Sequence, residues 1–266
     1  MDTKPLSTDI IRLDLDLFSG TEDELCALIR EALDVQGCFI VENVFNNLTL
    51  ESISDSINLA LKTIGIYQTC HSRDVSTMLR KNKHMQSALY DQLISMPKKN
   101  DFFLGASSMQ RVASCLFQEP ILYEKSPLRV DVPFDLTEMT LWHQDYFYVR
   151  GNVDVLTFYI PLRDLDYLSG ALSICLGSHK SGPLDHGLSW GKKSYPVDVG
   201  SFPSVHCELR AGSALVFNSL LLHQTNPNYS EFINYNIQYR VSDNRYLHSS
   251  QMGSLLPIPQ PRAHSF

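Results

Sequence analysis

From residue 128 onward the chain is a succession of short apolar runs cut by turn residues: LRVDV, DVLTFYIPL, GALSICLG, SALVFNSLLLH and INYNIQYRVS, with Gly, Pro, Asn and Asp between them. Short β-branched and aromatic runs at this spacing predict an all-β sandwich or barrel. The first 118 residues follow a different period. EDELCALIREALDV at 22–35 puts Leu25, Ile29 and Leu33 on one helical face, with Gly37 as a stop. CFIVENVF reads as a short strand, and helical spacing returns over 48–64, 74–96 and 101–117. No repeat, low-complexity tract or Gly/Ser linker marks the transition. The expectation is therefore a mainly β fold with packed helices, one domain over 1–266, helix-rich to 118 and with a jelly-roll core over about 119–247.

Charge narrows the function. A formal net charge of -7 argues against nucleic acid as a partner, because phosphate contacts need clustered Lys and Arg. Arg80, Lys81 and Lys83, and the pair Lys98 and Lys99, read as solvated helix faces. No stretch reaches the roughly 18 apolar residues of a membrane span. Six scattered cysteines (26, 38, 70, 115, 175 and 207), with no CxxC pair and no secretory leader, predict free thiols and a cytoplasmic protein.

The chemistry concentrates at LWHQDYFYV, residues 141–149. On a regular strand His143 and Asp145 point to one face and Gln144 to the other. His223, at the end of the apolar run GSALVFNSLLLH, can supply a third ligand. Two imidazoles and one carboxylate form the facial set of non-haem Fe(II) oxygenases, which leaves positions open for a cosubstrate and O2. An HxD pair taken alone is equally a partly buried ion pair. The aromatic cluster Trp142, Tyr146, Phe147 and Tyr148 reads as lining the mouth of a site for an apolar or ring-shaped small molecule and packing around that strand, with a purely core role for two of the four. His179 and His186, in LGSHKSGPLDHG, read as loop residues, and no GxSxG elbow, P-loop or dinucleotide fingerprint is present.

In order and spacing, HQDYFY, VLTFYIPLRDLDYLSGALSICLGSHKSG, LVFNSLLLHQTNPN and YNIQYRVSD resemble the phytanoyl-CoA dioxygenase-like family of Fe(II)/2-oxoglutarate oxygenases, with the match strongest over 125–245. The resemblance implies a double-stranded β-helix, a cupin-like jelly roll, with iron on His143, Asp145 and His223. It implies 2-oxoglutarate chelating that metal, O2 as oxidant, and hydroxylation or a related oxidation of a small organic molecule. Thr225 and Tyr159 fall where relatives often present cosubstrate-contacting side chains.

One position departs from the family. Its arginine for the far carboxylate of 2-oxoglutarate falls eleven residues after the distal histidine, which here is Asn234. Loss of a bidentate guanidinium costs on the order of 2–5 kcal/mol, or ~30-fold or more in binding, unless another cation substitutes. Arg240, Arg129 and Arg150 are the candidates. Arg240 lies six residues along the same strand face, about 20 Å away at roughly 3.3 Å per residue, too far to share that carboxylate. The alternatives are a jelly-roll metal- or ligand-binding protein without turnover, or an iron enzyme with a different cosubstrate.

Overall fold

The computed structural model describes residues 9–97, 99–124, 126–137, 139–149, 153–184, 199–200, 202–246 and 255–258. Its first half is helical, and the first four helices each begin where the sequence offers a cap. Thr21 opens α1 (Glu22–Gln36) with a reciprocal capping box: its hydroxyl accepts from the Glu24 N–H, and the Glu24 carboxylate accepts from the Thr21 N–H. Gly37 ends the helix at φ 82°, and a Cβ there would lie 2.5 Å from His179 Nδ1, so the turn needs glycine twice over. Asn46 caps α2 (Asn47–Thr63) and Ser72 caps α3 (Arg73–Lys81).

The single helix expected over 74–96 is two. Asn82 adopts an extended conformation and accepts from the Met85 N–H, ending α3 and starting α4 (Lys83–Ile94). The segment expected over 101–117 likewise divides at the extended Ala106, into α5 (Lys99–Gly105) and α6 (Ser107–Leu116). Arg80, Lys81 and Lys83 are exposed, but Lys99 is buried, donating from Nζ to the Ile94 carbonyl. Its solvated reading is thus corrected: its carbonyl also accepts the Tyr239 hydroxyl, which seats it inside. Lys98 lies outside the described residues.

The strands are β1 (Arg12–Leu13), β2 (Cys38–Val41), β3 (Pro120–Tyr123), β4 (Leu128–Asp131), β5 (Leu156–Pro161), β6 (Leu172–Cys175), β7 (Ser204–Cys207), β8 (Ala214–Asn218), β9 (His223–Gln224), β10 (Asn234–Asp243) and β11 (Leu255–Pro257). The larger sheet runs β1-β2-β8-β5-β10-β3-β11, with β4 also pairing β10; the smaller runs β7-β6-β9. The run SALVFNSLLLH is not one strand. Asn218 Oδ1 accepts from the Leu220 N–H, turning the chain so that β8 stays in the larger sheet and His223 enters the smaller.

Strand β10 shows how sequence sets the layers. Tyr235, Ile237, Tyr239 and Val241 alternate with Asn234, Asn236, Gln238 and Arg240. The apolar set joins Phe39, Phe158, Val216 and the helices in one buried cluster. A fully buried side chain such as Ile237 contributes about 1.5–3 kcal/mol there. The opposite face of the larger sheet packs Tyr159, Leu215 and Phe217 against Leu172, Ile174 and Cys207 of the smaller. The polar half of β10 therefore faces the space between two sheets.

The expectation of free thiols fails for two of the six cysteines. Cys26 of α1 and Cys115 of α6 form a disulfide with Cα atoms 4.8 Å apart, because packing of the two helices brings residues 89 apart in sequence within bonding reach. Cys38, Cys70, Cys175 and Cys207 are free and buried. Among the described residues no helix is long and apolar enough to cross a membrane.

Candidate metal centre and its cavity

His143 and His223 are held first by backbone. Each N–H donates to the other's carbonyl, at 3.0 and 3.1 Å, an isolated antiparallel bridge at the edge of the smaller sheet. Each imidazole then turns Nδ1 toward the carbonyl two residues before it, Leu141 at 2.7 Å and Leu221 at 2.9 Å. A carbonyl only accepts, so Nδ1 carries the proton and Nε2 presents its lone pair.

Asp145 reaches the same point by a different backbone from the one expected. The regular strand over 143–145 is corrected: Asp145 opens a 3-10 turn (Asp145–Phe147), and its carbonyl accepts from the Tyr148 and Val149 N–H groups. Gln144 is fully buried, and its side chain bonds the Gly182 and Leu220 carbonyls and the Leu184 N–H, pinning the neighbouring loop. Asp145 Oδ1 lies 3.9 Å from Nε2 of each histidine, and one ligand atom from each of the three residues falls within 4.8 Å of the others.

The charge states suit a cation. Burial holds the His143 imidazole neutral down to about 3, with His223 adding to the effect and Asp145 opposing it. Burial lowers His223 as well. For Asp145 burial works the other way, but Arg240, the two histidines and Thr157 outweigh it and keep the carboxyl ionised far below its ordinary range. Thr157 donates to Asp145 Oδ2 at 2.6 Å, and an Arg240 guanidinium nitrogen lies 3.2 Å from both carboxylate oxygens. Two neutral nitrogens and one fixed carboxylate on a single side are the donor set of non-haem Fe(II).

The three residues sit in the wall of a cavity of about 450 Å³, within the range of small-molecule sites. Arg129, Tyr159, Thr225 and Arg240 line it too. Asn234 is fully buried, with its amide nitrogen 3.4 Å from Asp131 Oδ2. Strand parity had put Arg240 on the face of Asn234, and the structure directs it to Asp145. Of the four aromatic residues expected at the mouth, Tyr148 alone lines the cavity, at 44% exposure. Trp142 instead packs on Cys175 and Leu222, a packing role of the kind expected for two of the four. His179 bonds the Asp34 carbonyl, away from the cluster; His186 and Arg150 lie outside the described residues.

Three features of the site lay beyond sequence reading. Thr157 shares its face with Tyr159, a parity that pointed toward it. Asp131, opposite Asn234 in the β4–β10 register, had no such signal. Nor did Gln86, Tyr90 and Asp91, through which α4 walls the cavity.

The family model for phytanoyl-CoA dioxygenase matches residues 33–234. A 1-deoxypentalenic acid 11-beta-hydroxylase from Streptomyces arenae is 25% identical over 219 residues, 76% of each chain. The fold is similar to the non-heme monooxygenase ThoJ in its apo form, with a TM-score of 0.61 at 18% identity over 88% of this chain and 84% of that one. It is equally similar to EctD from S. alaskensis with 2-oxoglutarate and 5-hydroxyectoine, with a TM-score of 0.61 at 15% identity over 92% and 87%. The jelly roll, the convergent His-Asp-His cluster and a family match over most of its length identify the chain as a member of the phytanoyl-CoA dioxygenase family, iron- and 2-oxoglutarate-dependent oxidoreductases.

Proposed function

We propose that His143, Asp145 and His223 hold Fe(II) and that the chain oxidises a small organic molecule, by hydroxylation or a related C–H oxidation, with 2-oxoglutarate and O2. The observation that carries the reading is the buried three-ligand cluster opening on a 450 Å³ cavity. Iron with its cosubstrate supplies the oxidising power; the chain fixes ligand geometry, orients the substrate and keeps bulk water out. Thr157 and Arg240 fix the Asp145 carboxylate, and the Leu141 and Leu221 carbonyls fix the imidazoles.

On this reading Tyr148 and the α4 side chains Gln86, Tyr90 and Asp91 orient the substrate, combining ring surface with a few polar groups. Hydroxylation is supported by the Streptomyces arenae relative, whose name is that of a hydroxylase. The same reading takes the whole of 1–266 as one domain and gives it no nucleic-acid partner. A cytoplasmic setting is part of the proposal; the four buried free thiols support it and the Cys26–Cys115 disulfide weighs against it.

The test is substrate-free turnover. Fe(II)-loaded protein given 2-oxoglutarate and O2 is expected to release succinate and CO2 slowly, and His143→Ala to release none. Iron bound at one equivalent with no succinate above the His143→Ala background would overturn the reading.

A further inference from the structure

The family resemblance implies an arginine for the far carboxylate of 2-oxoglutarate at the position where this chain has Asn234. The structure makes that position hostile to an anion. The Asp131 carboxylate faces Asn234 across the β4–β10 register, and its Oδ2 takes the Asn236 amide at 3.0 Å and faces that of Asn234 at 3.4 Å. A ligand carboxylate seated on Asn234 would meet a second carboxylate at once.

The cation lies one strand over. Arg129, on β4, is the register partner of Asn236, so its side chain leaves the sheet on the same face as Asn234 and Asn236. Its guanidinium is placed by Thr140 Oγ1 at 3.3 Å and Asp131 Oδ1 at 3.4 Å, and it lines the metal cavity. His143, His223 and Tyr159 line the same cavity. Arg129 thus stands between the metal cluster and the Asn234 end, with Tyr159 and Thr225 on the same wall. Arg240 is committed to Asp145.

We propose that Arg129 holds the far carboxylate of 2-oxoglutarate, replacing an arginine at position 234, and that Asp131 aligns it while competing with the ligand for it. The assignment rests on the function proposed above. It transfers the anion anchor from β10 to β4 and shifts it by two register pairs, to the next pair on the same face, with the chelating end of the cosubstrate still on the metal.

The test is calorimetric binding to the Mn(II)-loaded protein, which needs no turnover, with two probes: 2-oxoglutarate, and 2-oxopentanoate, which has the same chain length without the far carboxylate. The intact chain is expected to prefer 2-oxoglutarate by ~30-fold or more. Arg129→Gln removes that preference by weakening 2-oxoglutarate and leaving 2-oxopentanoate within about twofold. Asp131→Asn, which keeps the shape but removes the charge and turns one accepting oxygen into a donor, tightens 2-oxoglutarate several-fold and leaves 2-oxopentanoate unchanged, a gain that misfolding cannot mimic. A preference that survives Arg129→Gln, or an Asp131→Asn chain that gains nothing or loses affinity, overturns the assignment alone. An intact chain that binds Mn(II) but not 2-oxoglutarate overturns the cosubstrate reading and this assignment with it.

Discussion

At the scale of single residues, the metal ligands are set by groups that do not themselves face the metal. Asp145 is a buried carboxylate, and burial alone would favour its neutral form. Arg240, with the two histidines and Thr157, reverses that preference, and Arg240 and Thr157 fix the rotation of the carboxylate. Arg240→Gln removes the charge and is expected to lower Fe(II) or Mn(II) affinity ~10–100-fold, with Thr157→Val lowering it by less, because one acceptor oxygen loses a neutral donor. Competition against a metal-sensing dye would measure both, and an Arg240→Gln chain with native affinity would show that the ligands organise Asp145 unaided. His143, Asp145 and His223 were legible because each is a polar residue in an apolar run. Arg240's partner was not: it depends on the β5–β10 register, which sets Arg240 opposite Thr157, and a sequence read strand by strand carries no register.

At the scale of elements, β10 was legible for the reason that makes it stable. Its strict alternation assigns one face to the helices and one to the cavity, and a one-residue slip would exchange them. Helix α4 is the opposite case. The periodicity over 74–96 placed a helix but not the break at Asn82, since an asparagine inside a helical run signals a cap only when the backbone leaves the helix there. What α4 walls is set by docking. Lys83 pairs with Asp135 in the loop after β4, and Gln86 donates to the same carboxylate at 3.2 Å. Burial would raise the Asp135 carboxyl, but Lys83, Thr137 and Gln86 lower it to about 2. Its stabilisation is therefore complete above the ordinary carboxylate value of 3.8 and is lost as pH falls toward 2. With Lys83 half exposed, Asp135→Asn is expected to cost only about 1 kcal/mol at neutral pH. Faster amide exchange in α4, and a difference from the unaltered chain that narrows between pH 4 and 2, would establish the tie. An unchanged exchange rate would mean that α4 docks by its apolar face alone.

At the scale of the whole molecule, the larger sheet separates two territories. One face carries the helices and the main core; the other, with the smaller sheet, encloses the cavity and the metal ligands. The Cys26–Cys115 disulfide belongs to the first territory, where α1 and α6 pack and Arg111 pairs with Glu22 at 2.7 Å. Composition could not announce it, because the two cysteines share no motif and meet only after both helices have docked. Closing an 89-residue separation restricts the unfolded chain far more than the folded one, so its loss is expected to cost about 2–4 kcal/mol. Cys26→Ser with Cys115→Ser should then lower the melting temperature by about 5–15 °C, and a reductant should lower that of the unaltered chain equally without affecting the double variant. Metal affinity at the His143–Asp145–His223 cluster should stay within about twofold in both forms, because none of its three ligands, nor Thr157 and Arg240 that position them, lies on α1 or α6. Melting curves with and without saturating Mn(II) measure both quantities at once: parallel downward shifts place the disulfide in the scaffold alone, whereas a smaller metal-induced stabilisation in the double variant would show that the helical layer helps to set the ligands through the sheet.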